Sequence, residues 1–476
     1  MVEMLSPAQW ALRQFGDVQL GDKRINKRAV SFAAAAAAAP DASIPGQCRA
    51  WKHTKGAYRL MDNDRVSFEQ LQRPHRRLTV EVAGGAKAVL WVSDTTTISI
   101  DRPAAEGLGP TSSGGRGSGM LLHSTLGVDV SGEGEGEASA ADKPMVLGLG
   151  HQQVWAREGH DVPDPESLKW TRGIDAVGTP PPGVRWVHAG DGESDCWEAI
   201  ESCVENGCGF ALRACQDRLV LAGHDVEETS GHEPVNLFDL LRGRPMFGGK
   251  HLYVRSRPGQ AARWAKLAIS ACAVTVLAPK NWSDKPHRKG RPRPGPIRCW
   301  AVRVWEVDPP QGQDPVEWVI LTDEPAVDLE SAARVAEWYA CRWLIEEYHK
   351  CLKTGCRVEQ RQLREAARLE RLLGVLAVVA VRLLQLKHQA RLDPEAPAES
   401  VVPERYVRTM KARLNLPRRR KLTVQQFWRE TARMGGFLAR KSDGEPGWIT
   451  LWRGWEQLEL LTNGFELGEK VRGRCG

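Results

Sequence analysis

Hydrophobic and polar positions divide the chain into a helical beginning, a strand-rich middle and a helical end. After a capping sequence at residues 6–9 the pattern is helical, and a run of alanines continues it as far as Pro40. Residues 86–100 are instead β-branched and apolar, which predicts a strand. Strand-like segments recur up to Thr322, and from Leu329 onward the spacing is helical again.

The middle of the chain alternates strands with a helix before strands take over. Further strands are predicted at 120–130, 145–150 and 184–189, followed by a helix at 196–206. This alternation is typical of an α/β core, and more strands are predicted between 210 and 322. Two long helices then follow, one from Leu329 to Gly355 with Asp328 as its N-cap, the other from about 363 to 389.

Composition excludes several classes of protein. The chain has 476 residues, of which 42% are hydrophobic and 26% charged, and this excludes a disordered or fibrous protein. The longest apolar run, Leu372 to Val381, is shorter than the roughly 18–20 residues that span a bilayer, so we expect no membrane segment. The first residues lack the pattern of a secretory signal, and we expect a cytoplasmic protein.

Charge and cysteine content refine this picture only slightly. The net charge of +7 permits a polyanionic partner without requiring one. Eleven cysteines, an odd number, argue against a complete disulfide framework and favour reduced thiols. A structural zinc site at Cys203 and Cys208, or at Cys351 and Cys356, is the less favoured alternative.

Basic residues cluster in two places that nucleic acid could contact. On the first predicted helices, Arg24, Lys27 and Arg28 precede a stretch, Arg49–Arg59, in which basic and aromatic residues are interleaved. This pattern is typical of a nucleic-acid-binding module, and a solvated helical surface is the alternative. The segment Lys280–Arg298 also holds many Lys, Arg and Pro residues, but there an exposed, solvated connection is the simpler interpretation.

Two aspartates stand where strands can build a site. Asp94 interrupts an apolar strand, where an unpaired carboxylate is costly, and Asp191 follows the end of another strand. Together they could bind a hard divalent cation through oxygen. A capping aspartate and a salt-bridged aspartate are the alternative.

A polar stripe on the helix that begins at Leu329 favours the metal site. At about 100° per residue, the side chains that share an arc of roughly 60° are those of Tyr339, Arg342, Glu346 and Lys353, whereas Glu347 points away from it. An exposed stripe of ion pairs would contribute only roughly 0.2–0.5 kcal/mol per pair and would not account for the tyrosine. A phosphate-binding stripe beside a metal-binding carboxylate accounts for every member.

Several segments together repeat the motifs of a known family. The stripe has the spacing Tyr-x2-Arg-x3-Glu-x6-Lys, Asp94 is followed by two threonines, and residues 191–195 are Asp-Gly-Glu-Ser-Asp. These segments resemble the Y-R-E-K signature, the first catalytic motif and the D-R-E-x-D motif of bacterial Asp-Asp-Glu cut-and-paste transposases of insertion-sequence family four. Gly192 stands in place of the arginine of D-R-E-x-D. Residues 21–24 resemble the family's N-terminal DNA-binding segment, and residues 435–455 its C-terminal region.

The resemblance implies an α/β fold, namely a ribonuclease-H-like catalytic core with a β-rich insertion, flanked by helical N-terminal and C-terminal domains. We expect a DNA-binding domain at 1–70, a catalytic domain at 71–390 with the insertion at about 215–325, and a dimerisation domain at 391–476. The strand-rich interval between Asp191 and Glu346 agrees with such an insertion.

The resemblance also implies the chemistry. Such a bacterial, nucleoid-associated enzyme binds transposon ends, cleaves DNA through a hairpin intermediate and joins the ends to target DNA. Asp94, Asp191 and Glu346 are expected to hold two Mg²⁺ ions, replaceable by Mn²⁺, with Asp94 shared between them. Arg342 and Lys353 are expected to bind phosphates, and Tyr339 to donate its hydroxyl to the DNA backbone.

Further DNA contacts are expected on both sides of this site. Trp318, on the strand before the catalytic helix, corresponds to a family tryptophan that stacks on a base flipped from the duplex, and a core tryptophan is the alternative. The cations expected to bind the transposon end are Arg24, Lys27 and Arg28. His123 and His151 are interpreted as structural residues or secondary phosphate contacts, without a metal role.

Two identical transposon ends call for two protein chains, so we expect a homodimer in the complex with DNA. The expected pairing surface is an apolar group near the C-terminus, made of Phe437, Trp448, Leu451, Trp452, Trp455 and Leu458. Packing of this face on its own domain is the alternative. For the function as a whole, the alternative is an inactive protein that only occupies transposon ends, and the intact carboxylates favour the active enzyme.

Overall fold

Helical segments at both ends of the chain enclose, in sequence, a region that forms one large mixed sheet. The computed structural model describes residues 5–100, 105–112, 117–132, 144–157, 166–224, 233–254, 263–392, 394–417, 419–440 and 443–472.

The N-terminal segment is helical, as predicted. Its helices are α1 (Pro7–Phe15), α2 (Lys23–Ala38), α3 (Ile44–Cys48), α4 (Trp51–Met61) and α5 (Phe68–Ala83). The backbone N–H of Gln9 donates to the hydroxyl of Ser6, and the N–H of Ser6 donates to the side chain of Gln9, so the predicted capping box begins α1. Asp22 caps α2 by accepting from the N–H of Arg24.

Twelve strands among the described residues form a single sheet. They are β1 (Ala88–Ser99), β2 (Gly109–Pro110), β3 (Ser118–Asp129), β4 (Met145–Trp155), β5 (Arg185–Gly190), β6 (Gly209–Arg213), β7 (Leu219–Ala222), β8 (Val235–Asn236), β9 (Gly248–Val254), β10 (Arg263–Val276), β11 (Ile297–Glu306) and β12 (Glu317–Thr322). Their order is β2-β3-β1-β5-β6-β12-β11-β10-β7-β8, with β4 paired to β3 and β9 paired to β10. The adjacent strands β1, β5 and β6 are parallel, whereas the other pairs are antiparallel.

The remaining helices follow or interrupt the sheet. They are α6 (Lys169–Val177), α7 (Trp197–Glu205), α8 (Leu237–Arg242), α9 (Leu329–Ala340), α10 (Trp343–Lys350), α11 (Ala366–Leu392), α12 (Glu404–Arg413), α13 (Val424–Met434) and α14 (Trp448–Arg472). The apolar run predicted to be a buried helix lies in α11 and is buried against α5 and β4. At Gly374 a side chain would meet Leu71 of α5 at 3.1 Å, so glycine permits this close approach. Among the described helices, none has both the length and the apolar character needed to cross a membrane.

The helix predicted from Leu329 to Gly355 is not continuous. α9 ends at Ala340, and α10 begins only after a tight turn in which the N–H of Arg342 donates to the carbonyl of Tyr339. After α10 the chain widens into one π-helical turn, Cys351–Gly355. Because both turns change the rotation per residue, angles calculated with a uniform 100° step are wrong beyond Ala340.

The apolar face of α14 packs on its own chain. Its large side chains are at most 4% exposed, namely those of Leu451, Trp452, Trp455 and Leu458. The ring of Trp455 contacts those of Tyr406 on α12 and Trp428 on α13. The prediction that this face pairs with a second chain is therefore wrong for these residues, because their apolar surface is already covered.

The two other members of the predicted pairing surface differ from this group. Phe437 is half-buried and lies under the guanidinium of Arg429. Trp448 begins α14, but its side chain lies outside the described residues.

Two helices cross the boundaries that we expected between domains. Residue 70 lies inside α5, whose buried face contacts α11 and β4, and residue 390 lies inside α11. The helical N-terminal segment therefore continues to Ala83, beyond the part that the sequence predicted as helical.

Candidate active site

Asp94 lies in the middle of β1, between the antiparallel strand β3 and the parallel strand β5. In the register of these two antiparallel strands, Asp94 stands opposite Ser124 of β3. The N–H of Thr95 donates to Asp94 Oδ1 at 2.7 Å, and the side chain is 19% exposed. The carboxylate of Asp94, which the sequence singled out because it interrupts an apolar strand, is therefore largely buried. The N–H of Thr95 fixes its orientation.

The register of the parallel strands brings Asp191 to the same level as Asp94. In β1 and β5, Val92 pairs with Ala189, and each aspartate stands two residues further along its own chain. Asp191 accepts a bond from the N–H of Glu193 at 3.0 Å, which closes the turn after β5. Two carboxylates thus meet just beyond the parallel pairing of β1 with β5, at the carboxyl end of β5, where sites in α/β sheets form.

Glu346 reaches these aspartates from α10, and Arg342 links the groups. The guanidinium of Arg342 lies 2.6 Å from Glu346 Oε1 and 3.7 Å from Asp94 Oδ2. Burial lowers the pKa of Arg342, but Tyr339 and Glu346 outweigh that effect and raise it, so the guanidinium remains charged. We call the set Asp94, Asp191 and Glu346 the carboxylate edge.

The three carboxylates repel one another electrostatically. Burial raises the pKa of Asp94 to about 6, and the negative charges of Asp191 and Glu346 add to this, against the Thr95 N–H and Arg342. A cation among these groups would relieve the repulsion.

Tyr339 and Trp318 pack against each other beside the carboxylate edge. Their ring centroids are 5.2 Å apart in an edge-to-face arrangement. Tyr339 is 4% exposed, and burial raises the pKa of its hydroxyl. The guanidinium of Arg342 lies 6.0 Å from the tyrosine ring, so one residue contacts both the aromatic pair and the carboxylates. Trp318, on β12, is only half-buried.

Lys353 occupies a different environment from the one that a uniform helix predicts, whereas Glu347 does not. Lys353 stands in the π-helical turn, and its Nζ lies 3.7 Å from Glu359, which also accepts from the N–H of Ser99 at the end of β1. Glu347 points away from the carboxylate edge, as predicted, and forms a buried ion pair with Lys387 of α11.

The segment after Asp191 contains a second buried acid that is held structurally. Asp195 is 2% exposed, pairs with Arg218 and accepts bonds from the N–H groups of Cys215 and Gln216. These three partnerships explain why this acid belongs to the motif without lying on the carboxylate edge. The sequence did not single out Arg218, because its loop position lacks any periodic signal.

The other residues of this motif are also engaged. A side chain at Gly192 would meet the Cβ of Cys215 at 3.0 Å, so a larger residue there would displace the neighbouring loop. Glu193 lies 2.9 Å from the ammonium of Lys169, whose side chain is only 6% exposed. Lys169, a buried cation that pairs with Glu193 of this motif, was not found from sequence because α6 was not predicted.

The carboxylate edge has the donors that hard divalent cations prefer, because all three side chains offer anionic oxygen. Asp94 on β1 and Asp191 after β5 lie near each other, and Arg342 bridges Asp94 to Glu346, so the acids fit such a cation in kind and are close enough to interact electrostatically. Within the described ranges, no three His, Cys, Asp or Glu side chains form a preassembled cage.

Of the two histidines singled out in the sequence, His123 is buried and His151 is half-buried. His123 bonds the hydroxyl of Thr95 at 3.0 Å, and burial lowers its pKa well below the usual range. Burial also lowers the pKa of His151, to about 3, and this ring bonds Arg76. Neutral rings that bond to partners inside the protein support the structural interpretation over a role in binding phosphate.

The N-terminal cations line a cleft between α2 and α4, which we call the α2–α4 cleft. It has a volume of about 350 Å³, and its basic lining is formed by Arg24, Lys27, Arg28, Lys52 and His53. The two basic stretches predicted from sequence thus face each other across one cleft.

Comparison with protein families gives three matches along the chain. The family described as transposase DNA-binding matches residues 7–66, the transposase DDE domain matches 283–382, and the transposase Tn5 dimerisation domain matches 378–470. The fold, the acidic strand ends and these matches define a DNA transposase of the DDE class, an enzyme of a class that generally uses divalent metal ions. The chain belongs to the Tn5-like DDE transposases.

The matched segments do not cover the whole site. Glu346 lies inside the matched DDE segment, whereas Asp94 and Asp191 lie outside it. Their assignment therefore depends on the register of β1 and β5 and on the electrostatics of the carboxylate edge.

Proposed function

We propose that this transposase cuts and joins DNA at the carboxylate edge, with Asp94, Asp191 and Glu346 as the ligands of two Mg²⁺ ions. The observation that carries the proposal is the register that sets Asp94 and Asp191 side by side, together with the link through Arg342 to Glu346. Asp94 would be the ligand common to both ions, because its carboxylate interacts electrostatically with both Asp191 and Glu346.

Bound cations would activate the attacking oxygen and stabilise the leaving oxygen of the phosphodiester. Arg342 turns from Glu346 to a phosphate, to which its planar guanidinium can donate two bonds. Lys353 supplies a point charge, and the hydroxyl of Tyr339 donates to the DNA backbone. The partial burial of Asp94 and Arg342 limits the water that competes for these contacts.

The DNA follows a path from the α2–α4 cleft to the carboxylate edge. Arg24, Lys27 and Arg28 hold the transposon end, within the segment that matches a DNA-binding family. Near the cleavage point, Trp318 stacks on a base displaced from the duplex, and its half-exposed ring supports this role over a purely structural one. Such stacking would stabilise a hairpin at the cut end before the end is joined to target DNA.

The proposed domain roles follow the order of the chain. Residues 1–70 bind the end, residues 71–390 carry out the chemistry, with an insertion at about 215–325, and residues 391–476 pair the chains. The helices α5 and α11 cross these domain boundaries, so a movement of one domain would shift the domain next to it.

We place the pairing surface on the second half of α14 instead of its buried face. Leu460, Leu461 and Leu467 are exposed there, beside Gly464 and Gly468, which leave room for a close helix. The occupant is a second copy of the chain, because the matched dimerisation family covers residues 378–470. Two such chains would hold both transposon ends in one complex.

A pairing variant tests this surface. Leu460→Glu with Leu467→Glu is expected to leave binding to one end intact and to prevent the two-end complex, measured by the mass of the protein–DNA complex. Leu438→Glu is the matched control, since this leucine is equally exposed and lies outside α14. A two-chain complex formed by the double variant would remove the surface from consideration.

The chemistry is tested with a duplex that carries the element's own end. Cleavage is expected with Mg²⁺ or Mn²⁺ and little cleavage with Ca²⁺, whose looser geometry does not enforce in-line attack. Products are separated on a denaturing gel that resolves nicked, hairpin and blunt ends. Equal cleavage in EDTA would refute the metal assignment, and a blunt product without a hairpin would refute the proposed intermediate.

A further inference from the structure

The connection between β10 and β11 carries exposed cations that the proposed chemistry does not use. The segment Lys280–Arg298, which we call the basic loop, has seven Lys and Arg residues and one acidic residue, Asp284. Most of its cations are exposed, namely Lys280, Lys285, Lys289, Arg291, Arg293 and Arg298.

A buried ion pair fixes the base of this loop to α7. Arg288 donates to both carboxylate oxygens of Glu198, at 2.5 and 2.8 Å, and these side chains are 5% and 7% exposed. His287 bonds the same carboxylate at 2.7 Å. The guanidinium of Arg288 also lies 4.2 Å from the ring of Trp282, which packs edge-on against Trp197.

Two of the exposed arginines also hold the loop in place. Arg291 pairs with Glu201 at 3.2 Å, and Arg293 donates to the carbonyl of Ala278 at 2.5 Å. Lys280, Lys285 and Lys289 have no acidic partner among the described residues, so one set of cations anchors the backbone while another faces water. Because the backbone is ordered beforehand, a polyanion would bind these lysines at a lower entropic cost.

The sheet register separates the basic loop from the carboxylate edge. Trp300 of β11 pairs with Thr322 of β12, and Thr322 pairs with Ala211 near the start of β6. The start of β11 therefore lies at the end of the sheet opposite to Asp191, and the loop leaves the sheet there before it folds over α7.

We propose that the basic loop is an additional binding surface for duplex DNA that contacts phosphates without sequence preference. The partner is DNA because the chain is a transposase, and the surface offers flexible ammonium groups suited to backbone phosphates. The duplex bound there is a stretch other than the end held in the α2–α4 cleft.

The salt dependence of binding tests this surface. Lys285→Gln with Lys289→Gln is compared with Lys87→Gln and Arg433→Gln, which remove the same charge from exposed positions elsewhere. The loop variant is expected to flatten the slope of log affinity against log salt by about 0.9 per lost contact, on an end-bearing duplex and on a scrambled one. The control variant is expected to keep the original slope.

Two outcomes would overturn the proposal. An unchanged slope on both duplexes would show that the lysines are only solvated. A change confined to the end-bearing duplex would show that the loop takes part in end recognition instead of sequence-independent contact.

A separate observation concerns the interior behind the carboxylate edge, where buried polar side chains join α10 to the sheet. The network is made of Gln72, Ser124, Gln152, Tyr348 and His349, each at most 5% exposed. Gln152 accepts from Gln72 at 2.5 Å and donates to Ser124 at 2.7 Å and to the hydroxyl of Tyr348 at 2.9 Å. Tyr348 in turn donates to the carbonyl of Ala377 at 3.3 Å.

This network joins α10, which carries Glu346, to β3 and β4, and β3 pairs with the strand that carries Asp94. Ser124 is the cross-strand partner of Asp94, and Tyr348 follows Glu346 by two residues on α10. We infer that Gln152 and Tyr348 are positioning residues that fix the separation of these two carboxylates. This inference rests on the proposed metal site.

Metal affinity distinguishes positioning from simple support of the fold. Tyr348→Phe and Gln152→Leu are expected to weaken Mn²⁺ binding to the DNA-free protein by about tenfold, as loss of outer-shell partners typically does. Thr275→Val is the control, because it removes a comparable buried bond, to the carbonyl of Gly223, from β10. Thermal unfolding is measured in parallel, and a lowered midpoint with unchanged Mn²⁺ affinity would overturn the inference.

Glu346→Gln distinguishes failure of the positioning role from failure of the metal assignment. If it weakens Mn²⁺ binding while Tyr348→Phe and Gln152→Leu do not, the network has no positioning role and the metal assignment stands. If Glu346→Gln itself leaves Mn²⁺ binding unchanged, the metal assignment fails.

Discussion

The carboxylate edge concentrates negative charge and the α2–α4 cleft concentrates positive charge. The charges of the edge are partly buried, whereas those of the cleft are exposed. Asp94 is largely buried, and its pKa is raised to about 6 by burial and by the other acids. Arg24 and Lys27 are exposed at the rim of an open cleft. Water already stabilises the cleft, whereas the carboxylate edge destabilises the folded protein unless a cation is bound. The edge is therefore suited to chemistry and the cleft to capture.

The largest expected effect comes from removing an acid of the carboxylate edge. Glu346→Gln keeps the shape of the side chain but removes the charge that holds a cation, so we expect cleavage to fall by about a thousandfold or more while end binding persists. Single-turnover cleavage and a binding assay on the same duplex measure the two effects.

The control for this variant must be an acid without a structural role. Glu347→Gln is unsuitable, because Glu347 forms a buried ion pair with Lys387 and its loss would disturb α10. Glu330→Gln, at an exposed position of α9, is the better match and is expected to retain activity. Appreciable cleavage by Glu346→Gln would contradict the metal assignment.

The next largest effect is on stability, and here removing the charge of an acid of the carboxylate edge is expected to bring a gain instead of a loss. An aspartate in an unfolded chain has a pKa near 3.9, whereas that of Asp94 is raised to about 6, so ionisation of Asp94 destabilises the folded state. In EDTA, Asp94→Asn is expected to raise the free energy of unfolding at pH 7 by about 3 kcal/mol. This advantage is close to complete above about pH 7 and is lost as the pH falls through about 6 towards 4.

Denaturant unfolding at several pH values measures this difference. The same substitution is expected to abolish cleavage. A more stable but inactive variant would show that the charge of Asp94 lowers stability and is needed for catalysis. An advantage that does not change between pH 4 and pH 7 would contradict the role of the Asp94 charge.

The strand-borne half of the site could be predicted from the sequence, whereas the helical half could be predicted only in part. An acid inside an apolar strand and another at a strand end are local signals, and the parallel register of β1 and β5 accounts for their meeting. The stripe from Tyr339 to Lys353 assumed one uniform helix, but the turn at Arg342 and the π-helical turn are tertiary features without a local pattern.

The C-terminal helix shows the same limit for apolar residues. The spacing of Leu451, Trp452 and Trp455 correctly indicates one apolar face of α14. Periodicity cannot tell whether such a face packs on its own chain or on a second one, and here α12 and α13 cover it. The ion pair of Asp195 with Arg218 was likewise invisible, because contacts between loops leave no periodic signal.

A smaller effect is expected from the cations beside the carboxylate edge. Arg342→Ala removes a charge-assisted contact with phosphate, so we expect cleavage to fall by roughly 10–100-fold with little change in end binding. Lys353→Ala is expected to have the weaker effect, since its ammonium makes no planar, two-bond contact. Equal losses in binding and cleavage would place Arg342 in capture instead of chemistry.

The smallest effect per residue is expected in the α2–α4 cleft. Lys27→Ala with Arg28→Ala removes two cations that lie on α2 and face α4, and each phosphate contact contributes about 0.9 to the slope of log affinity against log salt. The pair should therefore flatten that slope by up to about two units and weaken end binding at low salt, while the cleavage rate of fully bound complex stays near that of the wild type. Titrations at several salt concentrations, followed by single-turnover cleavage at saturating protein, separate the two quantities. Arg433→Ala with Lys87→Ala, exposed and outside the cleft, is the matched control. If the cleft variant binds with an unchanged slope but cleaves slowly, the division between a site of capture and a site of chemistry does not hold.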